Sequence, residues 1–281
     1  MPEGDRSTTA ARTFRWLLLA VLGVSALSVG TGAAGVSLAA LAGDLIGGQG
    51  LSDRDRIILF DIRLPRLAMG LMIGAALAVS GALMQGLFRN PLADPGIVGV
   101  GAGASLGAVL AIVLGGLLPV GLAQAAGPHL VPLAAFAGGW GATLLLYRVA
   151  TSGGRTSVAT LLLAGIALSA LAGALTGALV YLADDRQLRD LTFWSMGSLA
   201  GANWVRLSSA LPLILPVLLL SPLLARGLNA LALGEAQAAH LGIAVERMKR
   251  LTILGVAAAA GAAVAVAGGI GFVGIVVPHL L

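Results

Sequence analysis

Residues 67–88 read LAMGLMIGAALAVSGALMQGLF, twenty-two positions without a charged side chain. A bilayer core of about 30 Å takes about 20 apolar residues of helix. The stretch can therefore cross it once, and it lacks the polar/apolar alternation of a barrel strand. Working outward, Trp16–Gly43, Pro95–Tyr147, Thr156–Ala183, Leu207–Ala225 and Leu251–Leu281 pass the same test. Pro95–Tyr147 has room for two helices and breaks most naturally between Pro119 and Pro128, with Gly121 and Gly127 between them. The expected fold is all-α and polytopic, one transmembrane domain over residues 1–281 with seven complete spans and the start of an eighth. The first stretch exceeds the apolar core of a signal peptide and a second span soon follows, so it reads as a retained span.

Composition agrees. Of 281 residues 58% are hydrophobic and only 10% charged, against roughly 25% charged in a soluble domain. A mean hydropathy of +0.98 excludes a disordered chain, a secreted disulfide scaffold and a cytosolic enzyme. With no Cys there is no thiolate metal site and no Cys nucleophile. The pI near 10.9 comes from scattered Arg and a single Lys, Lys249. It reads as membrane topology, and no nucleic-acid partner is expected. Placing the N-terminal residues 1–15 inside puts ten basic and five acidic residues on inside segments, against seven and seven outside. That bias satisfies the positive-inside rule.

Gly70, Gly74 and Gly81 fall on the second span, and Gly99, Gly101, Gly103 and Gly107 on the third. Small residues let helix backbones approach closely in lipid. The alternative is that some of them face a wide path through the membrane. No Asp, Glu, Lys or Arg falls near the middle of any span. Carriers driven by protons or sodium use such groups or broken helices, and intramembrane proteases need Ser/His or paired Asp. His129, His240 and His279 fall near span ends or in loops. The chain therefore reads as a non-enzyme without a metal site, and energy for active transport has to come from a partner.

The longest inside connection, residues 226–250, reads RGLNALALGEAQAAHLGIAVERMKR. Gly234 and Gly242 bracket about two turns of amphipathic helix, too short to be stable in water alone. Such a helix packs either on its own bundle or in a groove on a cytosolic motor. An ATP-independent channel or secondary carrier, the competing class, has no need of the second arrangement.

At this point the residues resemble a family. LALGEAQAAHLGI resembles the coupling segment of permeases that import iron-siderophores, haem and vitamin B12 through ATP-binding-cassette (ABC) systems, the FecCD type. Arg63-Leu64-Pro65-Arg66, GALMQGLFRNPLADPGIVGVGAGA (81–104), LLLAGIAL (161–168), FWSMGSLAG (193–201) and GFVGIVVPH (271–279) match in family order. The overall pattern, LADDRQLRDLTFWSMGSLAG above all, is most like haem importers, with ferric siderophore and then cobalamin next.

The resemblance implies ten spans per subunit, the C-terminal ones missing here, and an inverted-type repeat. A weak echo between Arg63–Leu67 and Arg247–Leu251 supports the latter. It implies ATPase coupling through Leu233, Gly234, Glu235, Ala238, Leu241 and Gly242. Arg63 and Arg66 would dock a periplasmic binding protein, since guanidinium forks onto carboxylate; snorkelling at the interface is the plainer account. Ser157, Val158, Ala159 and Thr160 would form an inside gate, or simply pack. Asn90, Pro91, Asp94 and Pro95 would form the inside turn, where capping alone accounts for them. Trp194, Met196 and Trp204 are expected at the outside interface. The implied assembly is a homodimer with two cytosolic ABC ATPases and a binding protein, in the bacterial inner membrane, N-terminus cytoplasmic. The chain itself would hold no cofactor. ATP and Mg would sit on the partner ATPase, consistent with the lack of a Gly-x-x-x-x-Gly-Lys-Ser/Thr loop here, and haem or an iron chelate would be cargo.

Overall fold

The computed structural model describes residues 7–32 and 52–281. The expected continuation of the first span to Gly43, and the charges Glu3, Asp5, Arg6 and Asp44, lie outside the described residues. Among the described residues seven helices are long and apolar enough to cross a membrane, as the charge-free stretches predict.

The chain divides into two units, residues 1–70 with 202–204, and residues 71–201 with 205–281. In the first unit, α1 (Ser7–Gly30) leaves Phe14, Trp16 and Leu22 exposed, as a helix facing lipid would. Helix α2 is continuous over Asp53–Phe88, with a π turn at Ile58–Arg63. Trp204 Nε1 donates to the Phe60 carbonyl at 2.8 Å, so the interfacial Trp has its partner within this unit.

The second unit is built around α3 (Val100–Leu114), α5 (Leu130–Ala150) and α10 (Val245–Ala267). The short α4 (Val120–Ala126) and a 3₁₀ turn at Gly127–His129 fill the break expected between Pro119 and Pro128. Helices α3 and α5 make the most extensive contact in the chain, and its cause is the glycines. A Cβ on Gly103 would stand 2.3 Å from the Gly138 carbonyl oxygen, and one on Gly138 would stand 2.2 Å from the Gly103 oxygen. Backbones lie against each other there, which is the close packing read from the sequence. The buried Thr143 hydroxyl lies 2.9 Å from the Val98 carbonyl and 3.0 Å from that of Gly139, tying the entry of α3 to α5.

Further along, α6 (Val158–Tyr181), α7 (Asp185–Met196), α8 (Trp204–Ala232), α9 (Glu235–His240) and α11 (Val273–Leu280) complete the chain. Helix α8 contains Pro212, Pro216 and Pro222. Pro222 cannot donate to Leu218, and Ser221 Oγ donates to that carbonyl instead at 3.0 Å, the kind of repair that lets proline sit in a membrane helix.

The structure refines several expectations. The inside connection is shorter than residues 226–250, because α8 runs on to Ala232 and α10 starts at Val245. Ending a span at its first Arg cuts it short, since long basic side chains reach out while the helix continues. The segment beyond Ala183, counted only for its charges, forms helix α7. Its capping box, Gln187 N to Asp184 Oδ1 at 2.8 Å and Asp184 N to Gln187 Oε1 at 3.0 Å, is a helix-start signature visible in D-x-x-Q. Trp194 is more enclosed than a residue facing the membrane surface on all sides. It packs on the buried cluster Ala104, Ala108, Ala135 and Ala265, residues from the middle of α3 and the facing helices. The echo of Arg63–Leu67 in Arg247–Leu251 also stops short: α2 is unbroken to Phe88, whereas α10 ends at Ala267 before Gly268.

Candidate functional site

The segment expected to couple to a motor forms as a separate short helix. Gly234, at φ 117° and ψ 153°, turns the chain out of α8 and caps α9, and its carbonyl accepts from Ala238 N at 2.9 Å. A side chain there is strained by that φ and would also meet Gln237 Oε1 at 2.4 Å. The six residues of α9 are too few to hold themselves together, and two contacts anchor them. Ala238 is fully buried. Glu235 reaches Lys249 on the first turns of α10, Oε2 to Nζ, at 2.8 Å. The residues just beyond its two ends are open: Leu233 is 67% exposed and Leu241 64%. Two exposed leucines flanking an anchored helix suit a docking element.

Lys249 was read from the sequence only as one more inside cation. It is 1% exposed. Its ammonium donates to Glu235 Oε2 at 2.8 Å, to Glu246 Oε1 at 3.0 Å and to the Thr156 carbonyl at 2.8 Å. Three donors meet three acceptors, so the charge is fully satisfied. A buried ammonium left short of partners costs several kcal/mol. Glu246 also uses its other oxygen, accepting from Thr156 N at 2.9 Å. The Thr156 peptide groups are thus held on both sides by α10. The signal that could have found this site is the uniqueness of Lys249, set three residues after Glu246.

Thr156 closes a two-residue hairpin, Thr151–Ser152 paired with Arg155–Thr156. Gly153 and Gly154 both have positive φ, 56° and 74°, as a type I′ turn requires. Next comes Ser157, whose Oγ accepts from Thr160 N at 3.2 Å and from Thr160 Oγ1 at 2.9 Å, capping α6. Val158 is half-buried, and Ala159 and Thr160 are exposed. The four residues expected at an inside gate therefore stand immediately after the residue that Lys249 holds, and Glu235 belongs to the same network.

The other sequence-derived residues lie elsewhere. Asn90 Oδ1 accepts from Leu92 N at 2.9 Å and Asp94 Oδ1 from Gly96 N at 2.7 Å. Pro91 is exposed and Pro95 buried, at the start of the turn Pro95–Val98. Capping accounts for the turn. Asp94 also lines a cavity of about 560 Å³ with Val100, Ser105, Trp194 and Phe272. In the first unit Arg63 is 8% exposed and donates through Nη1 to the Val29 carbonyl at the end of α1. Arg66 is exposed. Of the two arginines read as a docking pair, Arg66 is the accessible one and Arg63 serves α1.

This geometry can be compared with known proteins. The chain is 49% identical over 224 residues to the hemin transport system permease protein of Yersinia pestis, 80% of this chain and 66% of that one. It is 44% identical over 230 residues to a cobalamin import system permease protein of Halobacterium salinarum, 82% of this chain and 60% of that one. A vitamin B12 import system permease protein of Escherichia coli is 40% identical over 275 residues, 96% of this chain and 78% of that one. Thus the chain spans less than two thirds of the length of the first two. A solved structure described as an inward-facing transporter of the metal-chelate ABC type superposes with a TM-score of 0.80 at 31% identity, covering 96% of this chain and 80% of that one. With the profile of the FecCD transport family matching residues 17–281, the chain belongs to that family.

Proposed function

We propose that the chain is the membrane-spanning subunit of a binding-protein-dependent ABC importer whose cargo is haem. The observation that carries this reading is α9: a two-turn helix anchored by Ala238 and Glu235 while Leu233 and Leu241 are left exposed. A channel or secondary carrier has no use for such an element. Two cytosolic ATPases dock on α9 in two copies of the chain, a periplasmic binding protein delivers cargo near Arg66, and the assembly sits in the bacterial inner membrane with the N-terminus in the cytoplasm. ATP binding favours one arrangement of the motors, and the bundle follows through α9. Hydrolysis belongs to the partner.

Haem takes precedence because the hemin permease has the higher identity, 49% against 44% and 40% for the cobalamin and vitamin B12 permeases. Those relatives support cobalamin as the second reading. Both cargoes are metal-bearing tetrapyrrole macrocycles, and a ferric siderophore is the third. The test is ATPase activity of the full-length chain reconstituted in lipid with its cognate ATPase and binding protein. The binding protein is supplied empty, haem-loaded, cobalamin-loaded or ferric-siderophore-loaded. Stimulation by the haem-loaded form alone is expected. Stimulation by another form alone overturns the cargo, and absence of ATPase binding overturns the importer.

A further inference from the structure

We propose that Lys249 is the positioning residue that joins the motor-docking helix to the entrance of α6. The inference rests on the importer reading and deepens it. Three acceptors meet at one ammonium: Glu235 from α9, Glu246 from the first turn of the same helix α10, and Thr156 from the hairpin, 93 residues away in sequence. Glu246 grips Thr156 a second time through its N–H. Thr156 is the residue before the α6 cap, and its own side chain is tied across the hairpin, Oγ1 to Thr151 Oγ1 at 3.0 Å.

The chemistry makes this junction stiff. All three ammonium donors are used, and the side chain is 1% exposed. Withdrawing any acceptor leaves a charge short of a partner away from water, so the segments move together or the network breaks. The turns at Gly234 and Gly242, at φ 117° and 82°, tie α9 to its chain neighbours, with Ile243 N donating to the Ala238 carbonyl at 3.0 Å. Lys249 adds the link from α9 and α10 to the hairpin. A push on α9 then arrives at Thr156 without being lost in those turns.

The test uses two readouts on the full-length chain. The sequence has no Cys, so Ser152→Cys with His240→Cys gives one unique spin-label pair, across the hairpin and α9. In nanodiscs without partners, its distance distribution is expected to be narrow with Lys249 and broad in Lys249→Met. In the unlabelled complex, Lys249→Met is expected to lower loaded-binding-protein stimulation of the ATPase by about fivefold or more, the lower end of usual coupling energies. Glu235→Ala removes one of the three acceptors and keeps the other two; it is expected to give an intermediate effect and carries the test if Lys249→Met does not fold. A distribution in the variant as narrow as the parent's, or stimulation that survives its broadening, overturns the proposal. Should the unsubstituted chain fail to bind the ATPase, the importer reading falls, while the nanodisc distances still judge the junction.

Discussion

Substituting Gly107 by Ala tests the packing on which the fold depends. The new Cβ would stand 2.1 Å from the Ala134 carbonyl oxygen, 2.8 Å from its carbon and 3.3 Å from the Ala135 Cα. Ordinary contact begins at 3.4 Å, so α3 and α5 have to part by about 1.3 Å at this level. Backbone cannot rotate away as a side chain tip can, and Gly103 and Gly138 next along the seam lie equally close. A gap of about 0.5–1 Å already forfeits about a quarter to a half of each dispersion contact. Adding the strain of overpacking, we expect a loss of about 2–4 kcal/mol, after a helix-propensity gain of at most ~1 kcal/mol. Gly101→Ala is the control. It lies on the same helix, a Cβ there meets nothing within 4 Å, and it should be neutral or gain about 0.5–1 kcal/mol. The assay is equilibrium unfolding in lipid nanodiscs, followed by tryptophan fluorescence. Trp140, stacked on Phe136 at 5.9 Å within α5, is one of the reporters. Equal stability of the two variants, within about 0.5 kcal/mol, would refute the close approach of α3 and α5.

Thr143→Val keeps the volume but removes the hydroxyl that meets the Val98 carbonyl, and the same unfolding assay should register a loss of about 1–2 kcal/mol. Arg66→Glu should slow association with the binding protein about tenfold at low salt and less at high salt, measured by surface plasmon resonance. Arg63→Met should leave that rate alone and lower the thermal midpoint instead; equal effects on association would restore the arginine pair. Gly234→Ala forces a side chain into a φ of 117° at a cost of about 1–3 kcal/mol, and should cut stimulated ATPase activity while the chain stays folded; unaltered stimulation argues against α9 as the coupling element. Hydrogen exchange with and without vanadate-trapped ATPase should change at Gly268–Phe272 and not within residues 250–265, and an even change along both would count against a hinge there.

Much of this was legible because the membrane imposes simple rules. Charge-free length located the seven spans, and small residues marked α3 for close packing, though not α5 as its partner. Asn90 and Asp94 were legible as caps because capping uses local hydrogen bonds. What escaped was of two kinds. Helix ends escaped because an Arg or Lys does not end a helix in lipid, which is how Lys249 came to be counted as a loop cation. Long-range pairing escaped because nothing in the spacing between Thr156 and Lys249 says that they meet. Arg63 and Arg66 look equivalent in the sequence, and only packing separates a buried partner of Val29 from an exposed arginine. The packing of Trp194 on α3, α5 and α10 was likewise invisible in the sequence.

The breaks in the helices and the stiff junction lie at different places in the second unit, and the separation has a mechanical consequence. Around the cavity of about 560 Å³ three interruptions meet: the turn at Asp94–Pro95, the end of α7 at Trp194–Ser195, and the loop Gly269–Phe272. The Trp194 carbonyl accepts there from Gly197 N at 3.2 Å and Gly269 N at 3.3 Å, and the Ala267 carbonyl from Ser198 N at 2.7 Å. Irregular backbone at such a place is tolerated because it lines a cavity and finds partners in protein. The two long bonds sharing the Trp194 carbonyl are cheaper to exchange than the regular bonds of α10, and Phe272 already sits at a positive φ of 67°, a conformation a bulky residue leaves readily. At the other end of α10, Lys249 permits no comparable freedom. On the importer reading, a displacement entering at α9 is expected to pass through the Lys249 network to α6 and α10 and to be taken up where the helices are already broken, with α10 turning as a rod about Gly268 instead of bending along its length.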